Sequence, residues 1–241
     1  MSKDIRKLVF LIFIFFPPAL VNADDPISVG EDVYRRYCIG CHGENGDGNG
    51  KASKLLVIKP RNFTTGVFKF KSTPQGALPM DEDLMRSIKQ GLPGSSMPAY
   101  ILVSEIERKA VIEYIKTFSN RWATEIPKTA IAIPAVPEYI GSIESILKGK
   151  KAYEDNGCAA CHGDNGDGKG PASEELEDMW GNPVKPRNFK KGVYRSGSKP
   201  QNLFTVLSTG IEGTPMPAYE DITDDDKWHL ISFILGLKGG R

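Results

Sequence analysis

Apolar residues fall along the chain in short bursts between glycine- and proline-rich stretches, and several bursts keep the three-to-four-residue spacing of an amphipathic helix. Val33, Tyr34 and Tyr37 are spaced for one face of a short helix beginning near residue 28. Residues 81–90 place Leu84, Met85 and Ile88 on one face and stop at Gly91; residues 201–209, stopping at Gly210, are their counterpart. Residues 104–119 carry Ile106, Ala110, Val111, Tyr114, Ile115 and Phe118. Residues 223–237 carry Trp228, Ile231, Phe233, Ile234 and Leu235, and Ser104 and Thr223 are suited to cap the two helices. A further helix over 142–156 carries Ile143, Ile146, Leu147, Ala152 and Tyr153. Between 121 and 138, Pro127, Pro134 and Pro137 disfavour helix and predict an extended linker.

The bursts recur in the same order, so the chain is a tandem repeat. Lys59-Pro60-Arg61-Asn62-Phe63 is answered by Lys185-Pro186-Arg187-Asn188-Phe189, and Met97-Pro98-Ala99-Tyr100 by Met216-Pro217-Ala218-Tyr219. From His42 to Met97 is 55 residues and from His162 to Met216 is 54. The extra residues of the first copy lie near 71–80 and those of the second near 171–181; both are expected to be surface loops in which the copies differ. The predicted domains are 24–120 and 139–241, joined by the linker 121–138.

One burst has no repeat partner. Lys3, Arg6 and Lys7 precede an apolar run over 8–16, broken by Pro17-Pro18, and Val21-Asn22-Ala23 fits a small-residue cleavage site. The run is too short for an ordinary membrane span. Residues 1–23 are therefore expected to be an export signal that leaves a periplasmic protein; left uncleaved, they would act as an N-terminal membrane anchor. The 31 basic and 30 acidic side chains nearly balance, which gives no overall attraction to nucleic acid or to an anionic membrane.

All four cysteines lie in two copies of one motif, Cys38-Ile39-Gly40-Cys41-His42 and Cys158-Ala159-Ala160-Cys161-His162. A C-x-x-C-H run reads as a c-type haem attachment site. Thiols three residues apart share one face of a helical turn, where each can add to a vinyl group of one porphyrin, and the histidine on that face can reach the iron. Disulfides, a thioredoxin-like motif or a zinc ribbon would each leave the histidine after both pairs unexplained. The glycine-rich run after each motif is a loop. Read as a calcium loop from Asp164, it puts Gly166 and Gly168 where ligands belong and Lys169 where the turn glycine belongs, so calcium is rejected.

His42 and His162 are the proximal iron ligands predicted by the motif, and Met97 and Met216 the distal candidates, because the same methionine recurs in the same Met-Pro context. Met80, Met85 and Met179 read as core filling. Arg61 and Arg187, matched after a proline, could pair with haem propionates. Lys59, Arg61, Lys69 and Lys71, with Lys185, Arg187, Lys190, Lys191 and Arg195, could form basic rims that steer acidic partners. His229 lies on the last helix opposite a counterpart alanine and reads as structural.

These motifs resemble the class I cytochromes c, and the tandem resembles their dihaem members from bacterial respiratory chains, over about residues 28–240. The resemblance implies an all-α fold of two tandem domains, each a few helices round one haem. It also implies two covalently attached haem c groups, His/Met ligation and one-electron transfer. The partners it implies are redox proteins, a membrane-bound respiratory complex among them. The long Lys-rich segment 59–71 departs from the family pattern. The competing expectation is a dihaem enzyme of peroxidase or thiosulfate dehydrogenase type with one labile axial ligand; a sensor would need an output domain that is not visible.

Overall fold

In the computed structural model residues 25–126 and 128–239 are described; the apolar run and cleavage site of the N-terminus lie outside them. The first half contains α1 (Pro26–Tyr37), α2 (Ile39–His42), α3 (Asp81–Gln90), α4 (Glu105–Lys116) and α5 (Arg121–Thr124). The second contains α6 (Ile143–Asp155), α7 (Ala159–His162), α8 (Pro200–Thr209) and α9 (Asp224–Gly236). Among the described residues the only β contact is an isolated bridge between Glu177 and Pro183. The all-α expectation holds.

Each half is built on one crossing of its first and last long helices, α1 on α4 and α6 on α9. A glycine sits at each crossing. A Cβ on Gly30 would strike the Ala110 carbonyl, and one on Gly149 the His229 carbonyl, so only hydrogen fits between the backbones. Glycine inside a helix costs about 1 kcal/mol. Close approach offsets that by burying Val33 and Tyr34 against Val111 and Ile112, and Tyr153 against Leu230 and Ile231. Ser104 accepts a bond from Glu107 N while Glu107 reaches back to Ser104 N, a complete capping box. Thr223 accepts from Asp226 N.

The faces differ in detail from the apolar pattern. Ile106, Ile143 and Leu147 point outward, whereas Ile112 and Leu230 are buried. The buried stripe is centred on the glycine crossing, where α6 presents Ser145, Gly149 and Ala152, small residues that apolar periodicity does not mark. Met179, expected in the core, is exposed.

Two connecting segments also depart from expectation. The stretch expected to be extended linker opens with a turn of helix, α5, which precedes the first of its prolines. Arg121 there pairs with Glu125 and donates to the carbonyls of Gly66 and Gly76, fastening the segment to the first half. The first insertion is not a surface loop; the second is mostly exposed, as expected, but sends Asp178 and Trp180 to the other half. In the first, Thr73, Leu78 and Pro79 are fully buried, as is the Lys71 side chain beside it, which pairs with Glu212 of the second half at 2.7 Å. Glu212 also accepts from Gly76 N at 3.1 Å, and Thr209 donates to the Lys71 carbonyl. From the second insertion, Asp178 pairs with Lys69 at 3.1 Å, and Trp180 lies under the Arg61 guanidinium, 4.0 Å from the ring centre. Each half has thus been lengthened where it grips the other. Sequence spacing locates an insertion but not the surface on which it lands.

Candidate functional site

A deep cleft opens in each half, about 1380 Å³ in the first and about 1190 Å³ in the second, mouths included. Cys38, Cys41, His42 and Met97 line the first; Cys158, Cys161, His162 and Met216 line the second. The walls are otherwise mainly apolar, Leu84 and Ile115 in one and Leu203 and Ile234 in the other. No disulfide joins any of the four cysteines. Each motif folds as a single helical turn, α2 or α7, shortly after the preceding helix ends. Burial pushes the Cys38 thiol up to about 12 and raises Cys158.

The histidines are held the same way twice. Nδ1 of His42 lies 3.0 Å from the Arg61 carbonyl, and that of His162 3.1 Å from the Arg187 carbonyl. A carbonyl can only accept, so Nδ1 carries the hydrogen and Nε2 is left as a lone-pair donor. Burial lowers both imidazole pKa values, which favours the neutral form a metal requires. Phe63 stacks on His42 and Phe189 on His162, each with centroids 4.4 Å apart. The carbonyl that receives the proximal hydrogen could not be chosen from sequence; it belongs to the arginine of the repeated Lys-Pro-Arg-Asn-Phe motif.

The glycine loop holds that motif in place. Its backbone folds back on the attachment turn, Gly48 N and Gly168 N each donating to the motif histidine's carbonyl at 2.8 Å. Phe63 N and Phe189 N in turn donate to Gly46 and Gly166. Tyr34 and Tyr153 hydroxyls donate to the Gly43 and Gly163 carbonyls from the helix crossing. Gly43 and Gly163 sit at φ 82° and 78°, open to glycine but strained for a side chain. Asp47 and Asp167 cap Asn49 N and Lys169 N, so the loop carboxylates serve the turn itself.

The methionine loops are pinned symmetrically. Leu92 N donates to the Met97 carbonyl and Ile211 N to that of Met216; Tyr100 N and Tyr219 N bond the ends of α3 and α8. Gly91 and Gly210 pack so closely on the loops that a Cβ would meet backbone. His229 is in neither cleft: it is buried on α9, with Nδ1 2.8 Å from Ser145 Oγ.

Five of the nine residues predicted to form outward basic rims, Arg61, Lys69, Lys71, Arg187 and Arg195, instead converge between the clefts. Lys71 is buried, Lys69 is salt-bridged and Arg61 is stacked on Trp180. Burial drops Arg61 to about 10, partly countered by Asp178 and Glu212. Burial, with Arg187 beside it, drops Arg195 to about 10. The Nη1 atom of Arg187 lies against Gly94 in the Met97 loop, and Trp180 against Gly213 in the Met216 loop. Only Lys59, Lys185 and Lys191 of the predicted rims are exposed.

The donor set fits a haem c. Two thiols on one turn, an imidazole with only Nε2 free, a thioether in the same cleft and an apolar wall suit a porphyrin that the thiols and the imidazole would hold. Among the described residues no three His, Cys, Asp or Glu side chains converge as an all-protein metal centre would need. Residues 25–115 match the family described as cytochrome c oxidase, cbb3-type, subunit III, and residues 146–238 the family described as cytochrome c. A solved chain from the reducing HAO-like protein complex of Kuenenia stuttgartiensis is 38% identical, with a TM-score of 0.84 over 87% of this chain and 96% of that one. The CcoP subunit of the cbb3-type cytochrome c oxidase of Azospirillum sp. (strain B510) is 26% identical over 88% of this chain and 62% of its own. The thiosulfate dehydrogenase of Stutzerimonas stutzeri (strain A1501) is 29% identical over 43% of this chain and 30% of its own. The chain therefore spans less than two thirds of the length of either of these curated relatives.

Proposed function

The chain belongs to the dihaem class I c-type cytochromes, electron-transfer proteins that here carry two covalent haem c groups, and on that premise we propose an exported carrier whose irons are bound by His42 and Met97 in the first half and by His162 and Met216 in the second. When bound, the group supplies an iron that changes by one electron between ferric and ferrous states. The chain supplies the rest. Cys38 with Cys41, and Cys158 with Cys161, hold the porphyrin edge. The Arg61 and Arg187 carbonyls orient the imidazoles and increase their basicity. The pinned Met-Pro loops would offer Met97 and Met216 as weak thioether ligands with little freedom to leave, and an iron saturated in this way would favour electron transfer over substrate chemistry.

The observation that carries this reading is the pairing of one histidine and one methionine in one cleft, twice. Its test is the methionine-to-iron charge-transfer band of the oxidised holoprotein. Met97→Ala and Met216→Ala should each remove about half of the band and lower the potential of one haem. A wild-type protein without the band would overturn the ligand assignment.

The partners are redox proteins. The relatives named as oxidase subunits and the solved chain from a complex support assembly with a larger partner, such as a membrane-bound respiratory complex. Export to the periplasm with loss of residues 1–23 completes the proposal; the N-terminal sequence of the mature protein tests it. The second reading, a dihaem enzyme with one labile ligand, draws support from the relative named thiosulfate dehydrogenase. Thiosulfate oxidation or peroxide turnover by the purified holoprotein, with the methionine band of one haem missing from the fully oxidised protein, would establish it instead.

A further inference from the structure

The two clefts share a wall. Lys69 and Phe70 come from the first half yet line the second cleft as well as their own, and Arg195 comes from the second half yet lines the first as well as its own. In the repeat, Lys69 and Arg195 are the same position: each follows the Gly-Val-aromatic step after the Lys-Pro-Arg-Asn-Phe motif. The contact is therefore reciprocal, a cation from each half entering the site of the other.

The surroundings are short of negative charge. Arg61, Lys69, Lys71, Arg187 and Arg195 gather at the seam, with Asp178 and Glu212 as the carboxylates that bridge it. Glu212 is committed to Lys71 and Asp178 to Lys69. The Nε atom of Arg195 is buried without a hydrogen-bond partner, and no protein carboxylate stands within salt-bridge reach of Arg61, Arg187 or Arg195 among the described residues. Partly buried guanidinium groups in such a place call for an anion. Each haem brings two carboxylates at one edge of its ring.

We propose that Arg195, the cation of this pair that no protein carboxylate balances, lends its charge across the seam to the haem carboxylates of the first half, so that the first haem's potential is set from the second half. The proposal rests on a haem in each cleft and on electron transfer as the function, but not on which side chain is the sixth ligand. A cation near a haem disfavours the extra positive charge of the ferric iron, so it raises the potential; its loss lowers it.

The test uses the full-length, haem-loaded protein. Redox titrations are followed through the haem-methyl proton resonances, which report the two haems separately. Arg195→Gln should lower the ferrous-to-ferric ratio of the first haem at fixed potential by about threefold, roughly 28 mV for a one-electron couple. Lys69→Gln, which removes a charge that Asp178 already balances, should leave the first haem's ratio within about 1.5-fold of the wild type, and Arg195→Lys should restore most of the shift. A change confined to the haem of the residue's own half, or none in either, would overturn the proposal. Should Arg195→Gln not retain both haems, Arg195→Lys decides with the pH dependence of the first haem's potential: a fall as pH rises through the lysine range supports the proposal, and none overturns it. The charge-transfer band, recorded on the same samples, separates this result from the ligand assignment: its absence from the wild type counts against methionine ligation and leaves the cross-seam shift readable.

Discussion

Replacing Glu212 by glutamine tests how the halves are held together. The Lys71 side chain is only 2% exposed and its carboxylate partner 12%, at 2.7 Å. Removing the charge strands a buried ammonium with the carbonyls of Thr73 and Pro74 as its nearby acceptors. Breaking a buried pair from one side costs about 3–5 kcal/mol. Glutamine can still accept from Gly76 N and the two carbonyls remain, so the lower end, about 3 kcal/mol, applies at pH 7. Burial already lowers the Lys71 pKa and Glu212 pulls it back up, so the variant's lysine sits lower still. A base whose pKa is depressed on folding destabilises the fold below its folded pKa and ceases to do so as pH rises through the unfolded value, about 10.4. The gap between wild type and variant should therefore be widest near neutrality and close above about pH 10. Denaturant unfolding of the holoprotein at pH 7 and pH 10.5 measures it, and adding Lys71→Met should recover most of the loss. A cost under about 0.5 kcal/mol at pH 7, or an equal cost at both pH values, would refute the buried pair.

Other substitutions probe separate elements. Gly30→Leu and Gly149→Leu should each prevent the helix crossing and cost at least about 3 kcal/mol in unfolding experiments, beyond the ordinary range for overpacking because the obstacle is backbone. Gly40→Ala should be neutral or gain up to about 1 kcal/mol, since nothing lies within 4 Å of its Cβ position and the second copy already has Ala160 there. For Asp178, burial alone would raise the carboxyl, but bonds from Asn182 N, Lys69 and Trp180 N outweigh it and hold it below its ordinary value. Its stabilisation is present above the unfolded carboxylate pKa and lost as pH falls through the folded one, so Asp178→Asn should destabilise the protein at pH 7 and match the wild type near pH 2, as read by acid titration of circular dichroism.

Much of this site was legible because haem attachment writes itself into contiguous residues. Cys38, Cys41 and His42 need one helical turn and nothing distant, and their duplicate turned every weak signal nearby into a paired one. That is how Met97 and Met216 stood out from Met85 and Met179. The long helices were legible for the same reason, a local period bounded by Ser104, Gly91 or Thr223. What remained hidden depends on contacts between distant segments. The apolar pattern favoured Ile106 over Ile112 because it could not register that Gly30 sets the crossing point. The basic residues read as rims because a lysine's partner is invisible until the chain folds: Lys69 meets Asp178 more than 100 residues away. Trp180 gave no signal at all, since its use is to cover an arginine of the other half.

Arg61 and Arg187 each face two ways. The Arg61 backbone carbonyl receives the hydrogen of His42, and its guanidinium rests on Trp180, which abuts the loop of Met216. The Arg187 carbonyl receives that of His162, and its guanidinium abuts the loop of Met97. Each arginine thus joins the imidazole of one half, through its carbonyl, to the methionine loop of the other, through its guanidinium. A slip of one half over the other moves both ends at once. The surroundings of His42 and of the Met216 loop, like those of His162 and of the Met97 loop, are therefore tied through one residue, and a shift at the seam reaches both clefts.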